Sequence, residues 1–253
     1  MNEVIWLTQL SFPALIDTLV ERIEALLDEP HGTRIALAGG RTPRALLQQL
    51  RASGAPLHTL TLVPTDERWV SVHDAQSNEG MFRRELVAPL EAALQPRLVS
   101  LKTTAATPAE AVSEVARRLD LAVPGDFELT LLGMGADGHV ASLFPGAPMT
   151  LGAIGDAPPR NTRGRARRWT SASCIAAVQP ETGQPRLSLS LSRLLRTRAL
   201  ALLINGADKR RVLQAALADP IGELPVAQLL RSAQARGLNP AVYWTADESM
   251  ELA

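Results

Sequence analysis

The chain has 253 residues, 46% hydrophobic and 21% charged, and its 26 basic and 26 acidic side chains cancel to a formal charge of zero. That length supports one large domain or two small ones with a substantial core. Neutrality argues against broad electrostatic attachment to nucleic acid or to an anionic membrane. The single cysteine, Cys174, excludes an internal disulfide and a cysteine-based metal cluster, and reads as a small packed residue. The N-terminus, MNEVIWLTQL, lacks a basic leader and carries Glu3, and no apolar run is long enough to span a bilayer. These features predict a soluble cytoplasmic protein. Only Lys102 and Lys209 are lysines, so arginine is the default cation and each lysine carries more information than usual.

Apolar periodicity alternates between helical and extended along the chain. Leu15, Leu19, Ile23, Leu26 and Leu27 share one face of a helix expected over 13–28. Arg34–Ala38 reads as a short buried strand. Thr42 then Pro43 reads as an N-cap followed by the first helical position, opening a helix that carries Leu46, Leu47 and Leu50. Thr59–Val63 alternates as a strand and runs into Asp66-Glu67-Arg68. Ser77 caps a helix to about Val87, and Thr107-Pro108-Ala109-Glu110 is a capping box for a helix to about Leu121. Phe127–Leu132 is a strand. Residues 147–169 lack a period and read as a long loop. Strands at about 172–178, 186–190 and 199–204, helices at about 208–217 and 225–235, and a final strand near Ala241–Trp244 complete the pattern. Such alternation predicts an α/β fold, a mostly parallel sheet with helices on both faces. Two strands without an intervening helix suggest a small subdomain or hairpin around 170–195 of an otherwise single 1–253 domain.

Chemistry concentrates at the expected strand ends, where α/β sheets bind ligands. Leu131–Gly146, LLGMGADGHVASLFPG, runs from a strand into a glycine turn with Asp137 two positions before His139. Histidine suits proton transfer near neutral pH, although glycines of this kind also simply shape turns. Ala38-Gly39-Gly40-Arg41-Thr42-Pro43 joins strand to helix through two glycines, which either shape a turn or let a phosphate approach the free N–H groups. Asp66, Glu67 and Arg68 form either a solvated salt-bridged loop or part of a site, and Trp69 and Val70 favour the second. Arg186 opens a strand as a surface residue or a phosphate fork. Lys209 stands in a first helical turn, unfavourably against the helix dipole, which points to an anion. His31, His58 and His73 read as surface residues, and Arg160, Arg163, Arg165, Arg167 and Arg168 as a solvated loop.

The ordered set GGRTP, TDERWV, SNEGMFRREL, GMGADGHVASLFPG, PRLSLS and GADK resembles the 6-phosphogluconolactonase family over about Arg34 to Asp247. The resemblance implies the Rossmann-like fold shared with glucosamine-6-phosphate deaminases and ribose-5-phosphate isomerases. It also implies hydrolysis of 6-phospho-D-glucono-1,5-lactone to 6-phosphogluconate in the oxidative pentose phosphate pathway, with no metal or organic cofactor. By resemblance, His139 is the general base, with Asp137 beside it, and Asp66 and Arg68 belong to the reacting end. Gly39, Gly40, Thr42, Arg186 and Lys209 fall around the sugar phosphate. The expected partner is a phosphorylated sugar lactone, and the expected state a monomer or weak homodimer. The chain departs from the family's usual SGGSTP at Ala38 and Arg41, and from the usual threonine at Val140. A deaminase-like isomerase is the nearest alternative, but that family carries an acidic residue where this chain has Phe144 and a tyrosine where it has Arg68. A sugar-phosphate sensor on the same fold would need a DNA-binding segment, which the chain does not offer. No serine or cysteine stands in a nucleophile elbow, so the expected attack is by water, with Asp137 or Asp66 orienting His139 and Arg68 facing the oxyanion.

Overall fold

The computed structural model describes residues 4–8, 11–28, 32–146, 171–172, 174–219 and 222–246. In chain order the elements are β1 (Ile5–Leu7), α1 (Phe12–Leu27), β2 (Thr33–Leu37), α2 (Arg41–Ala52), β3 (Leu60–Pro64), β4 (Asp66–Arg68), α3 (Asn78–Phe82) and β5 (Arg97–Leu98). There follow α4 (Pro108–Ala122), β6 (Leu129–Leu132), β7 (Ser171–Ala172), β8 (Ile175–Val178), β9 (Arg186–Leu189), α5 (Leu191–Leu194), β10 (Leu200–Asn205), α6 (Ala207–Ala218), α7 (Pro225–Ala235) and β11 (Ala241–Thr245). Seven strands form one sheet in the order β1-β11-β10-β6-β2-β3-β5, and every pairing in it is parallel. Among the described residues, no helix is long and apolar enough to cross a membrane.

The two-residue period of the strands divides the core in two. Ile35, Leu37, Leu129, Leu131, Ala201 and Leu203 face one side, where Leu15, Leu19 and Ile23 of α1, Leu46 and Leu50 of α2 and Phe82 of α3 cover them. Ala36, Leu132, Leu200, Leu202 and Ile204 face the other, beneath Val112, Val115 and Leu119 of α4, Leu213 of α6 and Leu229 of α7. Strands buried on both faces favour near-continuous apolar runs, which is why β6 reads LTLL and β10 LALLIN, with only Thr130 and the terminal Asn205 polar. Each fully buried leucine contributes about 1.5–3 kcal/mol, so this double core supplies most of the stabilisation.

A second sheet, in the order β4-β9-β8-β7, is antiparallel. Ile175, Ala177, Leu187 and Leu189 pack its inner face into the α4 side of the core. The stretch expected as one strand at 172–178 is two strands, because the chain turns at Cys174 and β8 folds back on β7.

Local chemistry explains most helix ends. Ser77 Oγ accepts the Gly80 N–H at 2.9 Å, opening α3, which continues as a π-helical turn over Arg83–Val87. Thr107 Oγ1 accepts the Glu110 N–H at 3.4 Å, while Glu110 Oε2 accepts the Ala106 N–H at 3.2 Å, so the box closes one residue early. The expected cap at Thr42 is displaced. Gly40, at φ 117°, makes the turn out of β2, so α2 starts at Arg41 and Thr42 lies inside its first turn. The short α5 and the edge strand β1 carry too few residues to show a period, and neither was expected from the pattern. The long loop at 147–169 and its arginines, Arg160 to Arg168, lie outside the described residues, as does His31.

Candidate active site

Three adjacent strands of the large sheet, β10, β6 and β2, deliver their carboxyl ends to one edge. After β6 comes Gly133-Met134-Gly135 and then a tight turn in which Gly135 N–H donates to the His139 carbonyl at 2.9 Å. This turn presents Asp137 and His139 together. His139 Nδ1 lies 2.5 Å from Asp137 Oδ1, and the His139 backbone N–H donates to the same oxygen at 3.2 Å. An ionised Asp137 holds the proton on Nδ1 and leaves Nε2 as the lone-pair nitrogen. Burial pushes the Asp137 carboxyl up, but the His139 N–H and the His139 charge outweigh it and hold it below its ordinary value. Asp137, not Asp66, is therefore the partner of His139.

The glycine at 135 is a steric requirement. A Cβ there would meet His139 Nδ1 and Cε1 at 2.2 Å and Asp137 Oδ1 at 2.6 Å. Past His139 the chain makes a second turn, closed by Leu143 N–H on the Val140 carbonyl at 2.9 Å, with Ala141 at φ 49°. A left-handed alanine costs about 1–2 kcal/mol, a strain consistent with a geometry held for use. The turn aims Ser142 inward and brings Phe144 back against His139, with ring centroids 4.8 Å apart.

Asp66 sits on the outer face of β4 with Arg68, opposite Ser188 and Arg186 of β9 in register. Ser142 Oγ donates to Asp66 Oδ2 at 2.5 Å, and Asn78 Nδ2 donates to Oδ1 at 3.1 Å. Arg186 Nη1 stands 3.8 Å from Asp66 Oδ2, and its guanidinium lies 5.2 Å from the Phe144 ring centroid. Burial pushes the Arg186 guanidinium down; Asp66 pulls it back up, and the Arg68 charge again lowers it. Nε of Arg68 and Nε of Arg186 are both buried and, among the described residues, have no hydrogen-bond partner. Two guanidiniums held side by side with unspent donors suit an anionic ligand.

Glu67 points the other way and is fully buried. It accepts the Arg68 N–H at 2.7 Å, the Asn78 N–H at 3.0 Å, the Glu79 N–H at 2.7 Å and Ser77 Oγ–H at 3.0 Å. Burial pushes its carboxyl up against these bonds and against Lys102. Its work is structural: it fastens the start of α3 to β4, which places Asn78. A Cβ on Gly39 would lie 1.9 Å from Asn78 Oδ1, so the glycine loop after β2 packs directly on that amide.

The loops after β2 and β10 end in two matching helix starts. Gly40, at φ 117°, precedes α2, and Gly206, at φ 83°, precedes α6; neither offers a capping side chain. The first helical bonds begin at Arg44 N–H on the Gly40 carbonyl and Arg210 N–H on the Gly206 carbonyl, leaving the N–H groups of Arg41 and Thr42 and of Ala207 to Lys209 outside the helical ladder. Burial pushes the Lys209 ammonium down and the Arg41 charge lowers it further. Gly39 and Gly40 join β2 to α2, and Thr42 stands in the first turn of that helix. Trp244 Nε1 donates to the Gly206 carbonyl at 2.9 Å and steadies this end.

Contacts run from Gly39 through Asn78 to Asp66, from Asp66 to Ser142 and Arg186, and from Arg186 through Phe144 to His139 and Asp137, with Arg68 opposite Arg186 in register. Ser142, Asn78 and Ser188 were not singled out from the sequence, since a serine or asparagine in a cap or strand carries no pattern of its own. His58 and His73 are exposed, and Cys174 is buried with its thiol pushed up to about 11, first by burial.

A family model described as glucosamine-6-phosphate isomerases/6-phosphogluconolactonase matches residues 9–238. The chain belongs to this family. Within it, the 6-phosphogluconolactonase of Caulobacter vibrioides is 35% identical over 79% of each chain, and that of Pseudomonas aeruginosa 34% identical over 83% of each. The crystal structure of a 6-phosphogluconolactonase from Shewanella baltica superposes with a TM-score of 0.79 at 26% identity, covering 97% of this chain and 99% of that one. A monomeric glucosamine-6-phosphate deaminase, 16% identical, shares the fold with a TM-score of 0.72. The α/β fold expected from the alternating pattern is that of the 6-phosphogluconolactonase family.

Proposed function

We propose that this chain hydrolyses 6-phospho-D-glucono-1,5-lactone to 6-phospho-D-gluconate, the second step of the oxidative pentose phosphate pathway. It works in the cytoplasm as one α/β unit, a monomer or weak homodimer, without nucleic acid or membrane partners. The observation that carries the mechanism is the 2.5 Å contact between His139 Nδ1 and Asp137 Oδ1. It leaves Nε2 to take a proton from water as the water oxygen bonds to the lactone carbonyl carbon. The tetrahedral oxyanion then collapses, the bond from that carbon to the ring oxygen breaks, and the imidazolium returns the proton to the ring oxygen. Asp137 stabilises the transient imidazolium. Arg68 faces the oxyanion, where a preoriented charge acts without reorganisation. Asp66 holds Ser142 and Arg186 in place.

The distant phosphate occupies the space between the starts of α2 and α6, held by the backbone at Gly39, Gly40 and Thr42, by Lys209 and by Arg41, whose charge reaches the same space. Arg186, whose guanidinium lies 5.2 Å from the Phe144 ring centroid, adds its charge to the anion site. Anchoring there fixes the carbonyl near His139, so binding energy is used for orientation. Phe144 against His139 supports hydrolysis over deamination, since it fills with a hydrocarbon ring the place where ring opening needs an acid.

The test is a paired assay of lactone hydrolysis, above the uncatalysed background, and glucosamine-6-phosphate deamination, on the wild type and His139→Asn. Lactonase activity alone is expected, with kcat lowered about 100- to 10,000-fold in the variant. Deamination without hydrolysis overturns the function, and near-normal kcat in folded His139→Asn overturns the base.

A further inference from the structure

The strand β4 is braced from behind. Asp66 and Arg68 share one face of β4 and Glu67 points to the other, as alternate residues of a strand must, and in the bend just past the strand the Trp69 ring lies beside Lys102 on the Glu67 side. On that side stands Lys102, one of the chain's two lysines, between β5 and α4. Its Nζ donates to the Arg68 carbonyl at 2.8 Å and also to the Val70 carbonyl, and lies 5.3 Å from the Trp69 ring centroid. With Trp69, Val70 and Glu79 it lines a cavity of about 430 Å³ that excludes His139. Burial pushes the Lys102 ammonium down, and Glu67, Glu79 and Asp74 oppose that shift.

The lysine is itself held. Arg118 Nη1 donates to the Ser100 carbonyl at 2.8 Å and to the Lys102 carbonyl at 2.7 Å, and Ser100 Oγ donates to Glu79 Oε2 at 2.5 Å. By contrast, among the described residues the Arg68 side chain has a single hydrogen-bond anchor, Nη1 to the Gln76 carbonyl at 2.7 Å, and its Nε has none. Where such a side chain points depends on the direction of its own backbone. Beyond β4 the chain bends at Trp69 and Val70, where the Val70 N–H donates to the Arg68 carbonyl at 2.8 Å, and Lys102 Nζ reaches that carbonyl and the Val70 carbonyl together. A compact ammonium with three donors can serve both, which the fixed fork of a guanidinium does less well. That accounts for a lysine in a chain that otherwise uses arginine.

We infer that Lys102 is a positioning residue for the reaction: by holding the carbonyls on either side of Trp69, it fixes the backbone that aims Arg68 at the reacting carbonyl. This rests on the assignment of Arg68 to the oxyanion. A shift of about 1 Å at such a group is enough to cost about 100-fold in rate, so loss of the brace is felt in kcat and not in phosphate-dependent binding.

A double-mutant cycle on kcat and KM tests it, with Lys102→Met, which keeps the stem, Arg68→Gln, which keeps the carbonyl, and the pair. Arg68→Gln is expected to lower kcat about 100-fold. Lys102→Met is expected to lower it about tenfold with KM within about twofold, and the pair to fall no lower than Arg68→Gln alone. An unchanged kcat in folded Lys102→Met, or losses that multiply in the pair, overturns the inference about Lys102. An unchanged kcat in Arg68→Gln overturns the oxyanion assignment instead, and the inference with it. Should Lys102→Met fail to reach the native circular dichroism spectrum, Lys102→Arg takes its place in the cycle with the same outcomes decisive.

Discussion

Gly135→Ala isolates the geometry of the His139–Asp137 pair without touching either residue. Gly135 is outside the positive-φ set, so alanine is admissible on the backbone and only space is at issue. The added Cβ would lie 2.2 Å from Nδ1 and Cε1 of His139 and 2.6 Å from Asp137 Oδ1. Carbon contacts settle near 3.5 Å, so the ring must retreat by about 1.3 Å. The His139 side chain is 29% exposed, which gives it room to swing outward rather than unfold the turn. That swing breaks the contact with Asp137 and moves Nε2 from its place. Misplacement on this scale costs about 100-fold, or about 2.7 kcal/mol of transition-state stabilisation. Initial rates of lactone hydrolysis above background should therefore show kcat down about 100-fold with KM little changed, because the phosphate contacts are elsewhere. The melting temperature should fall by only a few degrees, the signature of local overpacking. A kcat within about threefold of wild type in the folded variant would refute the argument that this imidazole position is the working one.

Lys209→Met should raise stability while impairing binding. The folded protein holds the Lys209 ammonium below its ordinary value. Folding therefore disfavours the charged form, a cost full below the lowered pKa and gone only as pH rises past the ordinary lysine value. At neutral pH the variant should melt about 2 °C higher, and inorganic phosphate should stabilise the wild type but not the variant. A lower melting temperature, or equal stabilisation by phosphate, contradicts the anion site. Cys174, with its thiol pushed up to about 11, should present a thiolate fraction near 0.001 at pH 8. A thiol reagent should thus label the native chain slowly and one site per chain after denaturation, and rapid native labelling would contradict its burial.

Much of this protein follows from sequence by itself, because the interactions concerned are local. The caps at Ser77 and Thr107 act within four residues, the apolar runs of β6 and β10 report a doubly covered sheet, and Asp137 can reach His139 because only Gly138 separates them. Even Gly135 and Gly138 belong to that short range, since the turn cannot close around larger residues. Tertiary structure decided what depends on distant segments meeting. Asp66 had as good a sequence claim on His139 as Asp137, and only the register of β4 with β9 sends it to Ser142 and Arg186 instead. The cap of α2 moved from Thr42 to Gly40 because the exit from β2 needs a positive φ before the helix can begin. The Arg41 charge acts on Lys209 because β10 and β2 flank β6, an order written in crossovers rather than in either segment. No local pattern points Lys102 to its two carbonyl partners, which stand at the end of β4 and just past it, more than thirty positions earlier. Short-range chemistry is fixed by neighbouring residues, but the facing of charges across a site is fixed by strand order and register, which minimise exposed apolar surface over the whole chain.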